Sequence, residues 1–256
     1  MLFHCYNLTP KIKSCQIKKQ DFILRKTNSS LILKVANSTF VETMPFMKNK
    51  HLYLFQAVKK EILQNIEKNN ILIEEFKYSD ILYFSFNREA ISKFTECLTV
   101  VEYDITKAYL TAAKNLKFIS EEFYKKVIEL PKKIRLIILG SIASTATINT
   151  YKNGELINTE TKNNALLTKV WKMICKYVGD TMKHFLLMPS YLFFWVDGIF
   201  FDYSKNTIEE IETRVNSIKV FEFKKINCLS LRKQRNSIVV IKEDNIKKQF
   251  YTNYKR

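Results

Sequence analysis

Glycine and proline are scarce in this chain, with four of each among 256 residues. We find no internal repeat and no glycine-rich or proline-rich linker, so a long disordered connection is not expected. A chain of this length can bury a substantial core. We therefore expect one large folded domain or two small ones.

Metal-binding cysteine motifs are also missing. No pair of cysteines has the CxxC spacing and no cysteine has the CxxH spacing, which argues against a zinc site. An odd number of cysteines without a disulfide framework is typical of a reducing compartment. The five cysteines are Cys5, Cys15, Cys97, Cys175 and Cys228.

The chain has no uninterrupted apolar segment long enough to span a bilayer. Its longest apolar region, near residues 185–201, contains Pro189 and Asp197. The N-terminus lacks a basic segment followed by an apolar one, so no signal peptide is expected. These absences predict a soluble, cytoplasmic protein.

Acidic residues are too few to balance the basic ones. Lys and Arg number 42 against 25 Asp and Glu, which gives a formal net charge of +17. Such an excess suits a polyanionic partner, either nucleic acid or an anionic membrane surface. The alternative is compositional drift from an AT-rich gene, because Lys, Asn and Ile are abundant throughout.

The apolar periodicity predicts a mixed N-terminal region. Residues 31–35, 71–73 and 81–86 have the pattern of strands, and residues 51–69 have that of an amphipathic helix. No residue in this region indicates catalysis. We interpret residues 1–98 as an α/β region of unknown role.

From Thr99 onward the order of elements is informative. A strand ends at Asp104, and helices follow through Ala108, after a capping Ser120 and after Pro131. A hairpin turn at residues 151–154 precedes a long helix over residues 165–186. A second hairpin around Asp197, a helix over 207–215, a strand over 220–223 and two or three basic strands over 228–250 complete the chain. This order predicts an α+β fold, with an antiparallel sheet and helices on one face.

Asp197 lies within the most apolar stretch of the chain, residues 193–201. Burying an uncompensated carboxylate there costs several kcal/mol or more, and a metal cation is one means of compensation. Asp104 ends the apolar segment 99–104 in the same way. Two strands that each end in an aspartate predict a two-carboxylate metal site, the arrangement that phosphoryl-transfer chemistry needs.

Three segments around these aspartates resemble motifs of family B DNA polymerases. The segment Tyr103–Tyr109 (YDITKAY) resembles the family's Asp-x-x-Ser-Leu-Tyr-Pro motif, and VDGIF at 196–200 resembles the end of its Asp-Thr-Asp-Ser motif. LGSIAS at 139–144 resembles the fingers motif Lys-x-x-x-Asn-Ser-x-Tyr-Gly. The resemblance covers residues 99–225 and implies a palm subdomain.

The resemblance implies roles for particular residues. Asp104 and Asp197 would be catalytic metal ligands for Mg²⁺ or Mn²⁺, with Ile105 also at the metal site. Tyr109 would select deoxynucleotides. Nucleotide-binding roles would fall to Lys132, Arg135, Gly140 and Ser141, and nucleic-acid-binding roles to Lys224, Lys225, Lys233 and Arg235.

The chain also departs from the family pattern. Trp195 occupies the position of the other hairpin aspartate, Leu110 replaces the motif's proline and Lys107 its serine. In the fingers motif Gly140 replaces asparagine, and Leu136 falls where the lysine is expected, one residue from Arg135. The insertion at about 117–164 is short, and the first 98 residues leave no room for the family's exonuclease domain.

Each of these residues also has a structural interpretation. Asp104 could cap the following helix, and Asp197-Gly198 could form a type I′ turn. Tyr109 could be a core aromatic residue, while Gly140 and Ser141 could allow two helices to approach closely. A solvated helix face would explain Lys132, Lys133 and Arg135, and a lysine-protected sheet edge would explain the basic tail.

The sequence therefore supports three hypotheses. The first is a minimal DNA polymerase that adds deoxynucleotides to a primer end, with a palm-like domain at 99–225 and a basic, thumb-like or DNA-contacting region at 226–256. Its partners would be DNA, deoxynucleoside triphosphates and a second protein that supplies missing polymerase parts. The second is a catalytically inactive palm that serves as a nucleic-acid-binding or replication-accessory module. The third is a reverse-transcriptase-like polymerase, although such enzymes carry a paired Asp-Asp that this chain lacks.

Overall fold

The computed structural model describes residues 2–5, 7–27, 30–43, 49–93, 98–203, 208–242 and 247–252. Strands and helices alternate irregularly along these ranges. The strands are β1 (Leu2–Cys5), β2 (Phe22–Lys26), β3 (Ser30–Val35), β4 (Ser38–Thr43), β5 (Phe84–Phe86), β6 (Leu98–Ile105), β7 (Ala146–Lys152), β8 (Glu155–Lys162), β9 (Tyr191–Trp195), β10 (Gly198–Asp202), β11 (Phe223–Gln234), β12 (Ser237–Lys242) and β13 (Lys247–Tyr251). The helices are α1 (Thr9–Ile17), α2 (Asn49–Lys68), α3 (Arg88–Ser92), α4 (Ala108–Asn115), α5 (Glu121–Ile128), α6 (Lys132–Gly140), α7 (Ala165–Lys183) and α8 (Ile208–Ser217).

The chain divides into two compact units. Unit 1 comprises residues 1–74 and 117–171, and unit 2 comprises residues 75–116 and 172–256. The segment 117–164, which we expected to be a fingers-like insertion in a palm, therefore belongs to the same unit as the N-terminal region. Residues 226–256 belong to the same unit as the strand that carries Asp104.

Unit 1 contains a six-stranded sheet in the order β1-β4-β3-β2-β7-β8. The pair β1–β4 is parallel, and the other pairs are antiparallel. Its core includes Leu8, Phe22 and Leu33, and the ring of Phe22 stacks on that of Tyr151 with centroids 4.1 Å apart. This burial of apolar side chains stabilises the N-terminal half of the chain.

Unit 2 contains a seven-stranded sheet in the order β13-β12-β11-β6-β10-β9-β5, with antiparallel neighbours throughout. The face that carries Tyr103 packs against the end of α7. Phe185, just after that helix, makes edge contacts with Phe201 and Phe223 at centroid distances of 5.8 Å each. Helices therefore cover this face, and β6 lies in the interior of the sheet.

Local sequence signals explain several element boundaries. The Ser120 hydroxyl accepts the Phe123 N–H at the start of α5, as expected of a capping serine. Pro131 immediately precedes α6. Asn153 and Gly154 have φ angles of 51° and 80° between β7 and β8, as a type I′ hairpin requires.

The α+β class and the antiparallel sheet are confirmed. The predictions for residues 31–35, 51–69 and 165–186 correspond to β3, α2 and α7. The strand expected at 71–73 is wrong, because these residues pair with no strand and Leu72 is 78% exposed. The strand expected at 220–223 begins only at Phe223, and within 81–86 only β5 is extended in the sheet.

None of the helices in the described ranges is both long enough and apolar enough to cross a membrane.

Candidate functional site

The two predicted metal-binding aspartates lie close together in unit 2, Asp104 on β6 and Asp197 in the turn between β9 and β10. Asp104, near the end of β6, is in register with Gly198, the first residue of β10. The main-chain N–H of Ile105 donates to the carbonyl of Asp197 at 2.9 Å. Residues separated by 92 positions in the chain are thus adjacent at one end of the sheet.

The turn that holds Asp197 has an unusual backbone. Val196 adopts φ = 62°, a left-handed conformation that is a genuine outlier for a β-branched residue. The N–H of Val196 donates to the carbonyl of Tyr83 at 2.6 Å. A type I′ turn centred on Asp197-Gly198 is excluded, because neither residue has a positive φ. Strained backbone of this kind is often found at functional sites.

Asp104 does not cap the helix that follows it. Helix α4 begins at Ala108, and its N-cap residue is Lys107, which has φ = 58° and makes no side-chain capping bond. The helix-capping interpretation of Asp104 is therefore wrong.

Tyr109 lies close to Asp197. Burial raises the pKa of the Tyr109 hydroxyl, and the Cys175 thiol and the Asp197 carboxylate raise it further. The hydroxyl therefore stays protonated near the carboxylate throughout the physiological range. The structure brings together Asp104, Asp197 and Tyr109, three of the residues that the sequence selected.

Sequence reasoning missed a third carboxylate on the same strand. Glu102 is only 2% exposed, and its carboxylate pairs with Lys242 of β12 and lies 3.6 Å from the Lys248 ammonium. Burial alone would lower the pKa of Lys242, but hydrogen bonding and the charge of Glu102 raise it overall. The Lys242 ammonium thus compensates the buried negative charge of Glu102.

Gly198 lies beside the carboxylates of Glu102 and Asp104 and directly follows Asp197 in the chain. A Cβ at Gly198 would lie 3.1 Å from Oε1 of Glu102 and 3.6 Å from Oδ1 of Asp104. A side chain at this position would therefore crowd the Glu102 carboxylate, while the backbone of Gly198 needs no positive φ. We call the side of the sheet that carries Glu102, Asp104 and Gly198 the carboxylate face.

An aromatic cluster fills the interior of the carboxylate face. Phe250 of β13 packs against Phe193, Phe200 and Trp195 with ring centroids 5.2, 5.3 and 5.7 Å away. In a flat sheet β13 and β9, five positions apart, would be separated by roughly 24 Å. The sheet must therefore curl over this face until the edge strand β13 reaches β9, the strand next to the other edge.

Trp195 takes part in this packing at the position where the polymerase motif has its other aspartate. Its ring stacks on Phe84 at 5.2 Å and contacts Phe86 at 6.2 Å. Trp195 is partly buried, so an aromatic ring fills the position where the resemblance leads us to expect a carboxylate. The site has two aspartates at its end and not the three acidic positions of the full motif.

Four of the residues expected to bind the nucleotide, Lys132, Arg135, Gly140 and Ser141, belong to unit 1, whereas Tyr109 belongs to unit 2. Arg135 donates to the carbonyls of Ile128 and Leu130 at 2.8 and 3.0 Å, so its guanidinium satisfies the end of α5. The buried hydroxyl of Ser141 donates to Ile138 at 2.6 Å. These contacts give both side chains structural roles.

Gly140 and Lys132 are exposed. A Cβ at Gly140 would meet nothing within 4 Å, so the proposed close approach of two helices at this glycine is wrong.

The four cations expected to bind nucleic acid occupy different environments. Lys224 is in register with Asp104 on the neighbouring strand β11. Lys225 pairs with Glu212 at 2.6 Å and lies over the ring of Tyr203. Lys233 and Arg235 are exposed around the β11–β12 turn, at the opposite end of β11. Only Lys224 is therefore close to the aspartates.

A divalent cation at the end of the sheet would depend on few ligands. Asp104 and Asp197 offer carboxylate oxygens, and Ile105 can offer only its main-chain carbonyl. Within the part of the chain that the structure describes, no group of three or more His, Cys, Asp or Glu side chains is arranged to hold a metal ion. The residues therefore fit an ion that keeps several waters or substrate oxygens, as Mg²⁺ does.

Comparisons with known proteins identify no relative. The sequence matches no family model and no curated protein.

Glu102 was missed although the sequence carried the signal that selected Asp197. It is a carboxylate within the apolar segment 99–104, with Val100 and Val101 before it. Its partner Lys242 lies 140 positions away, and no local pattern connects the two. A rule that every carboxylate in an apolar strand needs a partner would have found it.

Proposed function

We propose that this protein catalyses metal-dependent nucleotidyl transfer, as a minimal DNA polymerase-like enzyme with a palm-like unit 2. The observation that carries the proposal is the register of Asp104 with Gly198, together with the hydrogen bond from Ile105 to Asp197. One carboxylate from strand β6 and one from the β9–β10 turn, both anchored by the sheet, would provide the rigid anionic site that such chemistry uses.

The residues of unit 2 suggest a division of roles. Asp104 and Asp197 would hold Mg²⁺ or Mn²⁺, which would neutralise the incoming phosphates and favour ionisation of the attacking hydroxyl. Tyr109, protonated and close to Asp197, would provide a surface for the sugar of a deoxynucleotide. Lys224, next to Asp104 in register, is a cation that can contact a phosphate.

Primer extension tests this proposal. The purified protein is given a 5′-labelled primer on a template, deoxynucleoside triphosphates, and Mg²⁺ or Mn²⁺. We expect extension by the wild type and a loss of at least about 10³-fold in Asp104→Asn and Asp197→Asn, the scale of removing a charge that stabilises the transition state. Asp202→Asn, at the far end of β10, is the matched control and keeps activity. No extension of any primer by a folded wild-type protein would refute the proposal.

The aromatic cluster favours a second candidate function. It occupies the interior of the carboxylate face and includes Trp195 in place of an acid. A palm-derived module that binds nucleic acid without catalysis would be compatible with this filled face. This candidate predicts salt-dependent DNA binding that Asp197→Asn leaves intact or improves, with no extension by the wild type.

A further inference from the structure

A basic cavity opens at the end of the seven-stranded sheet that is remote from the aspartates. Its volume is about 300 Å³. Helix α3, the β11–β12 turn and the end of β13 surround it. Its lining residues are Phe86, Arg88, Ile91, Ser92, Lys233, Gln234, Arg235, Ser237, Ile238 and Thr252.

Three cations converge on this cavity from two elements. Arg88 is the first residue of α3, and Lys233 and Arg235 flank the β11–β12 turn. Among the residues that the structure describes, no acidic side chain lines the cavity and none forms an ion pair with these three cations. Their positive charge is therefore available to an anionic ligand.

The lining also supplies hydroxyl groups and an apolar base. The Thr252 hydroxyl can donate to a phosphate oxygen. The Ser92 and Ser237 hydroxyls add polarity, but they already donate to the Glu89 carbonyl at 2.8 Å and to Oε1 of Gln234 at 3.0 Å. Ile91 and Ile238 are 5% and 0% exposed and belong to the core behind the carboxylate face. The three cations therefore lie next to packed core residues. Few additional side chains would have to become ordered when a ligand binds.

The cavity is far from Asp104. Lys224 is in register with Asp104, and Lys233 lies nine residues further along the same strand. At about 3.3 Å per residue, and with one irregularity in the strand, this separation is roughly 25–30 Å. The cavity and the aspartates therefore cannot contact the same nucleotide.

We propose that the basic cavity seats one nucleotide of a single strand of nucleic acid, with Arg88, Lys233 and Arg235 on its phosphate and the flanking phosphates. A volume near 300 Å³ is at the lower limit of small-ligand sites, and it suits one nucleotide but not a duplex. This inference deepens the proposed function and rests on it only for the choice of nucleic acid as the partner.

Fluorescence anisotropy with a labelled 20-nucleotide single strand, in EDTA and without nucleotides, tests the cavity. The triple variant Arg88→Gln, Lys233→Gln, Arg235→Gln should raise the Kd at least about tenfold. It should also reduce the slope of log K against log salt by about 1.5 to 2, because each phosphate contact on a single strand contributes about 0.7. The single variant Arg88→Gln should raise the Kd and reduce the slope by intermediate amounts. It can be measured even if the triple variant does not fold.

The control removes the same charge elsewhere. Lys13, Lys18 and Lys152 are exposed residues of unit 1, and their triple change to glutamine should reduce the slope by less than about 0.7. Equal losses in the two triple variants would overturn the inference, because net charge alone would then explain binding. Unchanged binding in the cavity variant would overturn it as well.

Two further readouts separate this inference from the proposed function. The assay contains no metal, so Asp197→Asn should bind the strand as the wild type does. Absence of primer extension together with cavity-dependent binding would refute only the proposed function. Loss of binding to phosphatidylserine vesicles in the cavity variant, with oligonucleotide binding kept, would assign the cavity to an anionic membrane and overturn the inference.

Discussion

Glu102 and Asp104 lie two residues apart on one strand and face the same side of the sheet, yet their surroundings differ. Glu102 is buried in the interior of the carboxylate face and is paired with Lys242. Asp104 is partly exposed at the end of the strand, next to the strained turn that holds Asp197. One carboxylate has a fixed cationic partner from the protein, while the other is placed where a ligand can reach it.

The difference in burial gives the two carboxylates different roles. The Glu102–Lys242 pair is embedded beside the aromatic cluster, where it must be kept intact to avoid an uncompensated charge. The end of β6, in contrast, lies near Asp197 and a protonated tyrosine, and all three side chains there are partly exposed. On the single strand β6, Glu102 therefore serves the packing of the fold, and Asp104 serves the proposed chemistry.

The largest effect on stability should come from breaking the interior ion pair. Glu102→Gln leaves the Lys242 ammonium buried without its countercharge, and we expect a loss of about 3–5 kcal/mol in the free energy of unfolding. Urea denaturation measures it. Replacing both residues with methionine should recover most of the loss. Glu212→Gln, which breaks the more exposed pair with Lys225, should cost less than about 1 kcal/mol.

Trp195 lies between the interior and the end of the face, and its substitution tests whether it is a packing residue. Trp195→Ala should cost about 2–4 kcal/mol, because it removes contacts with Phe84, Phe86 and Phe250. Trp195→Phe keeps an aromatic ring and should cost less than about 1.5 kcal/mol. Equal stability of the alanine variant and the wild type would show that the cluster does not support the fold.

Gly198 marks the boundary between the two regions. Gly198→Ala should cost about 1–3 kcal/mol, because the new Cβ would press on Oε1 of Glu102. Gly140→Ala is the matched control: it is helical, exposed and open, and should stabilise the protein by about 0.5–1 kcal/mol. Thermal unfolding of the two variants should therefore shift in opposite directions. A stabilising Gly198→Ala would contradict the geometry of the face.

The buried thiols give a smaller, pH-dependent effect. Burial raises the pKa of Cys228 to about 11 and that of Cys175 to about 12 from an ordinary value of 9.0. Since the folded values are the higher ones, this stability is fully present below pH 9 and is lost as pH rises toward 11 and 12. The raised pKa of Lys242 acts in the same direction above about pH 10.5.

We expect the free energy of unfolding to fall by about 1 kcal/mol per pH unit for each thiol in this window. Urea denaturation between pH 8.5 and 11 measures the slope, and Cys228→Ala should reduce it. A stability that rises across this range would contradict the assignment.

The sequence predicted the parts of the fold that depend on local patterns. Asp104 and Asp197 were expected at neighbouring strand ends because each follows a β-branched or aromatic run; Asp104 lies near the end of β6, and Asp197 lies in the turn after β9. The curl of the sheet was not predictable, since it depends on Phe250 meeting Phe193, 57 residues earlier in the chain. The segment 71–73 was misread because three apolar residues resemble a strand even where no partner strand is present.

The nucleotide-binding residues were the least predictable part of the candidate site. Ser141 matched a motif by position and Arg135 was one residue away from the motif's lysine, but both side chains bond to backbone carbonyls of unit 1. Whether a polar side chain is satisfied locally depends on the course of the neighbouring helix, which a motif does not encode.

Mn²⁺ binding, measured by electron paramagnetic resonance of the free ion, tests the central claim that Asp104 and Asp197 share a divalent cation. We expect Asp104→Asn and Asp197→Asn each to weaken binding at least about tenfold, and the double variant to bind no more weakly than the weaker single one, because both ligate one ion. Asp202→Asn should bind as the wild type does. Losses that simply add in the double variant, or wild-type affinity in either single variant, would contradict the account.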